Sequence, residues 1–257
     1  MTLIVGFIAE DGALIASDSE ASESGHSRYD VEKIWTIGGL AFGYSGSGAT
    51  RQNLQHILET NLETYIDANK PDRWGLKDYL VSLMQPIIQS AYANYVGPNY
   101  MQIAGTLLVV GKDDNGCFLL EIDANNTATF YDERRFHAIG SGSPAAYAVY
   151  SLIENYDSKH QSIEQLKLVS HRMLDSCINV IAGSSGVGGN IDIWLSQDEE
   201  FLKLDAGAIE LIRYGVDQWK LSEKETLDKL YSSDDQATLE DDTVTMPDEL
   251  QLQPEES

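Results

Sequence analysis

Apolar positions come in short runs through the first 44 residues and then lengthen to a helical period. Thr2 to Ala9 and Gly12 to Ser17 are β-rich runs joined by Glu10-Asp11-Gly12, whose Asp-Gly pair is a hairpin signal. Lys33 to Ile37 and Leu40 to Tyr44 read the same way, joined at Gly38-Gly39. From Ala49 to Asn69 the apolar residues Leu54, Ile57, Leu58, Leu62, Tyr65 and Ile66 recur at three and four, which predicts an amphipathic helix. Trp74 to Tyr95 predicts a second, with Leu80, Leu83, Met84, Ile87 and Ile88 inward and Pro86 as a kink or break. Met101 to Gly111, Cys117 to Asp123, Thr127 to Tyr131 and Phe136 to Gly140 read as strands. Pro144 to Tyr156 and Ser162 to Ile181 read as helices, and Asn190 to Ser196 and Glu210 to Arg213 as closing strands. The order is four strands, two helices, four strands, two helices, then strands. Such grouping predicts segregated layers rather than alternating βαβ units, and two stacked sheets with a helix pair on each outer face is the simplest arrangement.

The composition narrows the choices. A chain of 257 residues at 42% hydrophobic can bury a substantial core. Its net charge of −24 opposes binding to a phosphate backbone or an anionic membrane, so no nucleic-acid partner is expected. No run of 18 apolar residues exists to span a membrane, and the first apolar stretch is broken by Glu10 and Asp11 without a basic flank, unlike a signal peptide. The cytoplasm is therefore the expected compartment. Cys117 and Cys177 are too far apart in sequence for a metal knuckle and too few for a disulfide framework. The composition shifts near Ser222, and residues 232 to 257 hold nine acids and no cation. The predicted division is a folded domain over 1–221 and an acidic, disordered tail over 222–257.

The chemistry starts at the first residues. Thr2 stands one peptide bond from the start of the sequence. With Met1 removed, one residue carries both a hydroxyl and a free amine. Threonine hydroxyls need a base, and an α-amine with an ordinary pKa of about 7.7–8.0 can accept the proton near neutrality. A buried lysine nearby favours the neutral amine, and Lys33 is the candidate, with Asp18 to pair and place it. An internal salt bridge between strands is the alternative reading of the same two residues, but buried ions are rare without partners or purpose. The turn Gly46-Ser47-Gly48 precedes a helix, where backbone N–H groups are free donors suited to an oxyanion, or where Ser47 simply caps the helix.

Other patterns carry less. Gly140-Ser141-Gly142-Ser143-Pro144-Ala145 matches a dinucleotide fingerprint after a strand, but no later strand ends in an acid at the required distance. The histidines at 26, 56, 137, 160 and 171 show no metal-ligand spacing, so neither a metal nor a cofactor is expected. Tyr92, Tyr95 and Tyr100 form an aromatic cluster that reads as core or subunit packing.

Thr2, Asp18, Lys33 and the Gly46-Ser47-Gly48 turn, in that order, together with Gly140-Ser141-Gly142 before a helix and Gly188-Gly189-Asn190-Ile191-Asp192-Ile193 as a later strand, resemble the proteasome β-subunit family of N-terminal nucleophile (Ntn) hydrolases, bacterial homologues included. The resemblance covers roughly residues 2 to 215. It implies an α+β fold, the four-layer αββα sandwich. It implies a threonine-type peptidase acting on peptide or unfolded protein in a homo-oligomer, ring or open helical, with an ATP-dependent unfoldase partner undefined. By the same resemblance Thr2 is the nucleophile, Lys33 tunes the amine, and Asp18 positions Lys33. The Ser47 backbone N–H stabilises the oxyanion, Ser141 supports the amine, and Ser185 is the stand-in for a serine in the loop before the later strand. Two departures stand out. The Asp18 to Lys33 spacing is one residue short, which a loop over Ser22 to Tyr29 would absorb. The loop Ala182 to Gly189 lacks the family's acid. A catalytically silent structural subunit and an acyl-transferring ligase are the alternatives.

Overall fold

In the computed structural model, residues 2–23, 27–94, 105–153, 162–181, 187–197 and 200–231 are described. The chain divides into two compact units, Met1–Tyr214 and Gly215–Ser257.

The first unit is built on two five-stranded antiparallel sheets. One is formed by β1 (Ile4–Ile8), β2 (Ala13–Asp18), β10 (Phe136–Ile139), β11 (Ile191–Gln197) and β12 (Glu200–Lys203), in the order β10-β1-β2-β11-β12. The other is formed by β5 (Ile34–Ile37), β6 (Leu40–Ser45), β7 (Thr106–Asp113), β8 (Gly116–Ile122) and β9 (Ala128–Phe130), in sequence order. Alternation assigns the faces. Ile4, Ala13, Ile15, Ile34, Ala41, Leu108, Val110, Leu119 and Ile139 form the apolar core between the sheets. Phe42, Leu107, Val109, Phe118, Leu120 and Ile122 point the other way, onto Leu54, Leu58 and Leu62 of α1 (Gly48–Asn69) and Leu76, Leu80 and Met84 of α2 (Arg73–Asn94). On the outer face of the first sheet lie α3 (Ser143–Ile153) and α4 (Ile163–Ser176), the latter continued by a π-helical turn over Cys177–Ile181. Phe7 on β1 and Phe136 on β10 meet Tyr150 of α3 ring to ring. The architecture is the α+β, four-layer αββα sandwich that the grouping of elements predicts.

Several elements differ from the sequence reading. Ser22 to Tyr29 is not a plain loop: β3 (Glu20–Glu23) and β4 (Ser27–Asp30) form a two-stranded hairpin. α2 runs through Pro86 to Asn94. Glu210 to Arg213 is helical, inside α5 (Ala206–Leu230). The first turn of this helix is held by Asp205, whose side chain accepts from Ala208 N–H at 2.8 Å and whose carbonyl accepts from Ile209 N–H. The closing strand is instead Glu200–Lys203, paired in register with β11. Residues 222–230, assigned to a tail by composition, belong to the same helix. Tyr95 and Tyr100 lie outside the described residues, whereas Tyr92 is exposed. Among the described residues no helix is long and apolar enough to cross a membrane, and no group of side chains is arranged to hold a metal ion.

Candidate active site

The site grows from the end of β2. Asp18, the last residue of β2, is fully buried, and burial of a carboxylate requires partners. It has three. Asp18 Oδ1 accepts from Lys33 Nζ at 2.6 Å and from the Leu3 backbone N–H at 2.8 Å; Oδ2 accepts from the Gly188 N–H at 3.0 Å. Lys33 is itself only 3% exposed, one residue before β5. One carboxylate thus ties the lysine to the backbone immediately after Thr2. Burial pulls the Lys33 ammonium below the ordinary lysine range, opposed by the charge and hydrogen bond of Asp18 and by the more distant Glu20 and Asp192.

The turn after β10 reaches Thr2 from the other side. The Thr2 N–H donates to Ser141 Oγ at 3.3 Å, and the Gly142 N–H donates to the Thr2 carbonyl at 3.2 Å. Gly140 has φ +96°, and a Cβ there would stand 2.2 Å from the Thr2 carbonyl oxygen and 3.1 Å from Ser45 Oγ. Only glycine fits this backbone and this approach. The same crowding places Ser45, at the end of β6, beside Gly140.

Ser47 follows in that loop and is the N-cap of α1. Its φ of −72° and ψ of 142° are ordinary extended values, so serine carries no strain there. Its side chain accepts from the Thr50 N–H at 3.1 Å and shares a 2.7 Å hydrogen bond with Thr50 Oγ1. The cap is therefore real, and it leaves the Ser47 backbone N–H outside the helical ladder.

Hydrogen bonds thus join Thr2 to Ser141 on one side, and Lys33 through Asp18 to the Leu3 N–H, the next backbone group, on the other. Ser185 lies outside the described residues. Sequence reasoning missed a second layer. Ser19 Oγ donates to Asp30 Oδ1 at 2.6 Å and accepts from the Asn190 N–H at 2.7 Å, fixing the strand entry beside Gly188. Gly189, at φ +78°, leaves no room for a Cβ against Ser19 and Asp30. The Gly188-Gly189 pair was the available signal; Asp30 carried none, because only the β3–β4 hairpin brings it there.

The family model for proteasome subunits matches residues 2–194. The chain is 27% identical over 215 residues to the proteasome subunit beta of Methanosarcina barkeri, covering 82% of this chain and 93% of that one. It is 28% identical over 207 residues to the corresponding Methanosarcina thermophila subunit, covering 79% and 90%. It is also 26% identical over 215 residues to the proteasome subunit beta type-5-A of Arabidopsis thaliana, covering 83% and 72%. Among solved structures, the Anbu (Gly-1) mutant from Hyphomicrobium sp. strain MC1 superposes with a TM-score of 0.69 at 14% identity, over 90% of this chain and 99% of that chain, which shows a shared fold. The chain belongs to the proteasome subunit family, and within it resembles the β-type subunits.

Proposed function

We propose that the chain is a threonine-type peptidase subunit in which Thr2, once it is the first residue, is the nucleophile. Thr2 Oγ attacks a peptide carbonyl carbon. Its proton passes to the Thr2 amine, directly or through a water, and then to the leaving amine as the C–N bond breaks. Water hydrolyses the resulting ester and restores the hydroxyl. The buried Lys33 ammonium disfavours a charged amine and keeps it basic in the neutral form, and Asp18 fixes the ammonium. The Ser47 N–H faces the developing oxyanion, Ser141 steadies the amine, and Ser185 adds to that support from the 182–189 loop.

The single observation that supports this reading best is the shared carboxylate. Asp18 Oδ1 holds both Lys33 Nζ and the Leu3 N–H, which gives an otherwise costly buried ion pair a task at the chain's start. The substrate is peptide or unfolded protein, enclosed by a homo-oligomer, ring or open helical, in the cytoplasm; an unfoldase partner stays undefined. The deciding experiment is the intact mass before and after an epoxyketone-type probe, with Thr2→Ala as control. One adduct that Thr2→Ala abolishes supports the peptidase. A free Thr2 that takes no adduct points to a silent assembly subunit, the reading favoured by the absence of an acid in the 182–189 loop. An adduct without hydrolysis, but with products joined to an added amine, points to acyl transfer.

A further inference from the structure

A polar chain crosses between the two sheets behind the Ser141 turn. His137 is buried on β10, directly across from Gly6 of β1. Its Nδ1 shares a 2.7 Å hydrogen bond with the Tyr147 hydroxyl on α3. Its Nε2 lies 2.7 Å from Glu121 Oε2 on β8 of the other sheet, so the ring is held between α3 on one side and the second sheet on the other. Tyr131 stacks on the imidazole, with ring centroids 3.7 Å apart and planes 13° from parallel, and its hydroxyl also bonds Glu121. The Ala138 N–H meets the Tyr147 oxygen.

Buried polar groups are costly unless satisfied, and an apolar β10 edge would pack here without them. The position of this set explains its presence. His137 and Tyr147 flank the segment Gly140–Ser143 on its two sides. That segment supplies the three Thr2 contacts: the Ser141 Oγ acceptor, the Gly142 N–H donor and the close approach of Gly140. One hydrogen bond therefore closes the base of the turn, and Glu121 anchors that base to the sheet carrying the Ser45–Ser47 loop.

We propose that Glu121, His137 and Tyr147 act as one positioning relay that sets the Ser141 turn against Thr2. The role of the turn in supporting the Thr2 amine rests on the peptidase reading; the mechanical coupling does not. None of the three touches substrate.

The test is a double-mutant cycle on the full chain with His137→Phe, which keeps the stacked ring but removes both nitrogens, and Tyr147→Phe, which removes only the hydroxyl. Hydrogen exchange of the amides of residues 141–143 is the first readout, with residues 107–110 of β7 as the internal control for folding. Each single variant is expected to raise exchange at 141–143 roughly three- to tenfold, the weight of one buried hydrogen bond, with β7 unchanged. The double variant is expected to be no worse than His137→Phe alone, because the two substitutions break one link. The second readout is the rate of probe labelling at Thr2, expected to fall in step with the exchange. Unchanged exchange at 141–143 in a folded Tyr147→Phe, or strictly additive effects, overturns the relay. Should the unmodified chain take no probe, the peptidase reading fails and the exchange data alone still decide the coupling; should His137→Phe not fold, Tyr147→Phe against Glu121→Gln supplies the cycle.

Discussion

At the residue scale the critical object is the Asp18–Lys33 pair, because both partners are buried and neither can be removed without exposing the other's cost. Among the described residues, Lys33→Ala leaves a buried carboxylate with the Leu3 and Gly188 N–H groups as its donors. The expected loss is about 3 kcal/mol in chemical denaturation, together with loss of probe labelling. Replacing both charges, Lys33→Met with Asp18→Asn, removes the orphan; most of the stability is expected to return while labelling stays absent. That split between stability and labelling separates a chemical role from a structural ion pair. Full labelling in the double variant would assign the pair to stability alone. The pair itself was legible from the sequence, since an acid and a lysine inside strongly apolar strands have few other uses. What ties it to Thr2 was not, because a hydrogen bond from the Leu3 backbone leaves no mark on residue identity.

At the element scale the turns decide the site, and glycine marks them. Gly140→Ala forces a side chain into a φ of +96° and onto the Thr2 carbonyl. It is expected to cost about 1–3 kcal/mol for the backbone alone and to abolish the Ser141 contact, read as a lowered melting temperature and slowed labelling. Away from the site, Arg73 at the start of α2 clamps the β7–β8 hairpin. Its Nε and Nη2 hold the two Asp113 oxygens at 2.8 and 2.6 Å, and its Nη1 holds Asp132. The Arg73 hydrogen bonds hold the Asp113 carboxyl down at about 2, against an ordinary 3.8. Because the folded value lies below the unfolded one, the unfolded chain takes up protons first as the pH falls. The contribution of the clamp is therefore complete above pH 4 and is lost between about pH 4 and 2, about 1 kcal/mol once solvent screening is allowed for. Asp113→Asn is expected to lower stability at pH 7 and to flatten the urea midpoint between those limits, measured across the pH series. The strands and long helices were readable because alternation and the helical period are local. The β3–β4 hairpin was not, since Glu20–Glu23 and Ser27–Asp30 are mostly polar and carry no apolar alternation. Neither was the helix over Glu210 to Arg213, whose short apolar run fits either period until Asp205 is seen to hold its first turn.

At the scale of the whole molecule, charge opposes the assembly that the peptidase reading requires. Each copy carries −24, and nine of the acids lie in residues 232–257 without a cation among them. Copies brought together repel one another over a screening distance of about 30 Å at 0.01 M salt, but only about 8 Å at 0.15 M. Packing of apolar surface changes little over that range, so the balance between the two shifts with ionic strength. Self-association is therefore expected to strengthen with salt: at fixed protein concentration, sedimentation velocity should show a rising oligomer fraction as sodium chloride goes from low to physiological levels. A chain ending at Tyr231 has fewer like charges to screen and should reach the same fraction at lower salt. Dissociation on adding salt would carry the opposite meaning. It would show that complementary ion pairs, rather than apolar contact working against net repulsion, hold the copies together, and would turn attention to the cations that survive on so acidic a surface.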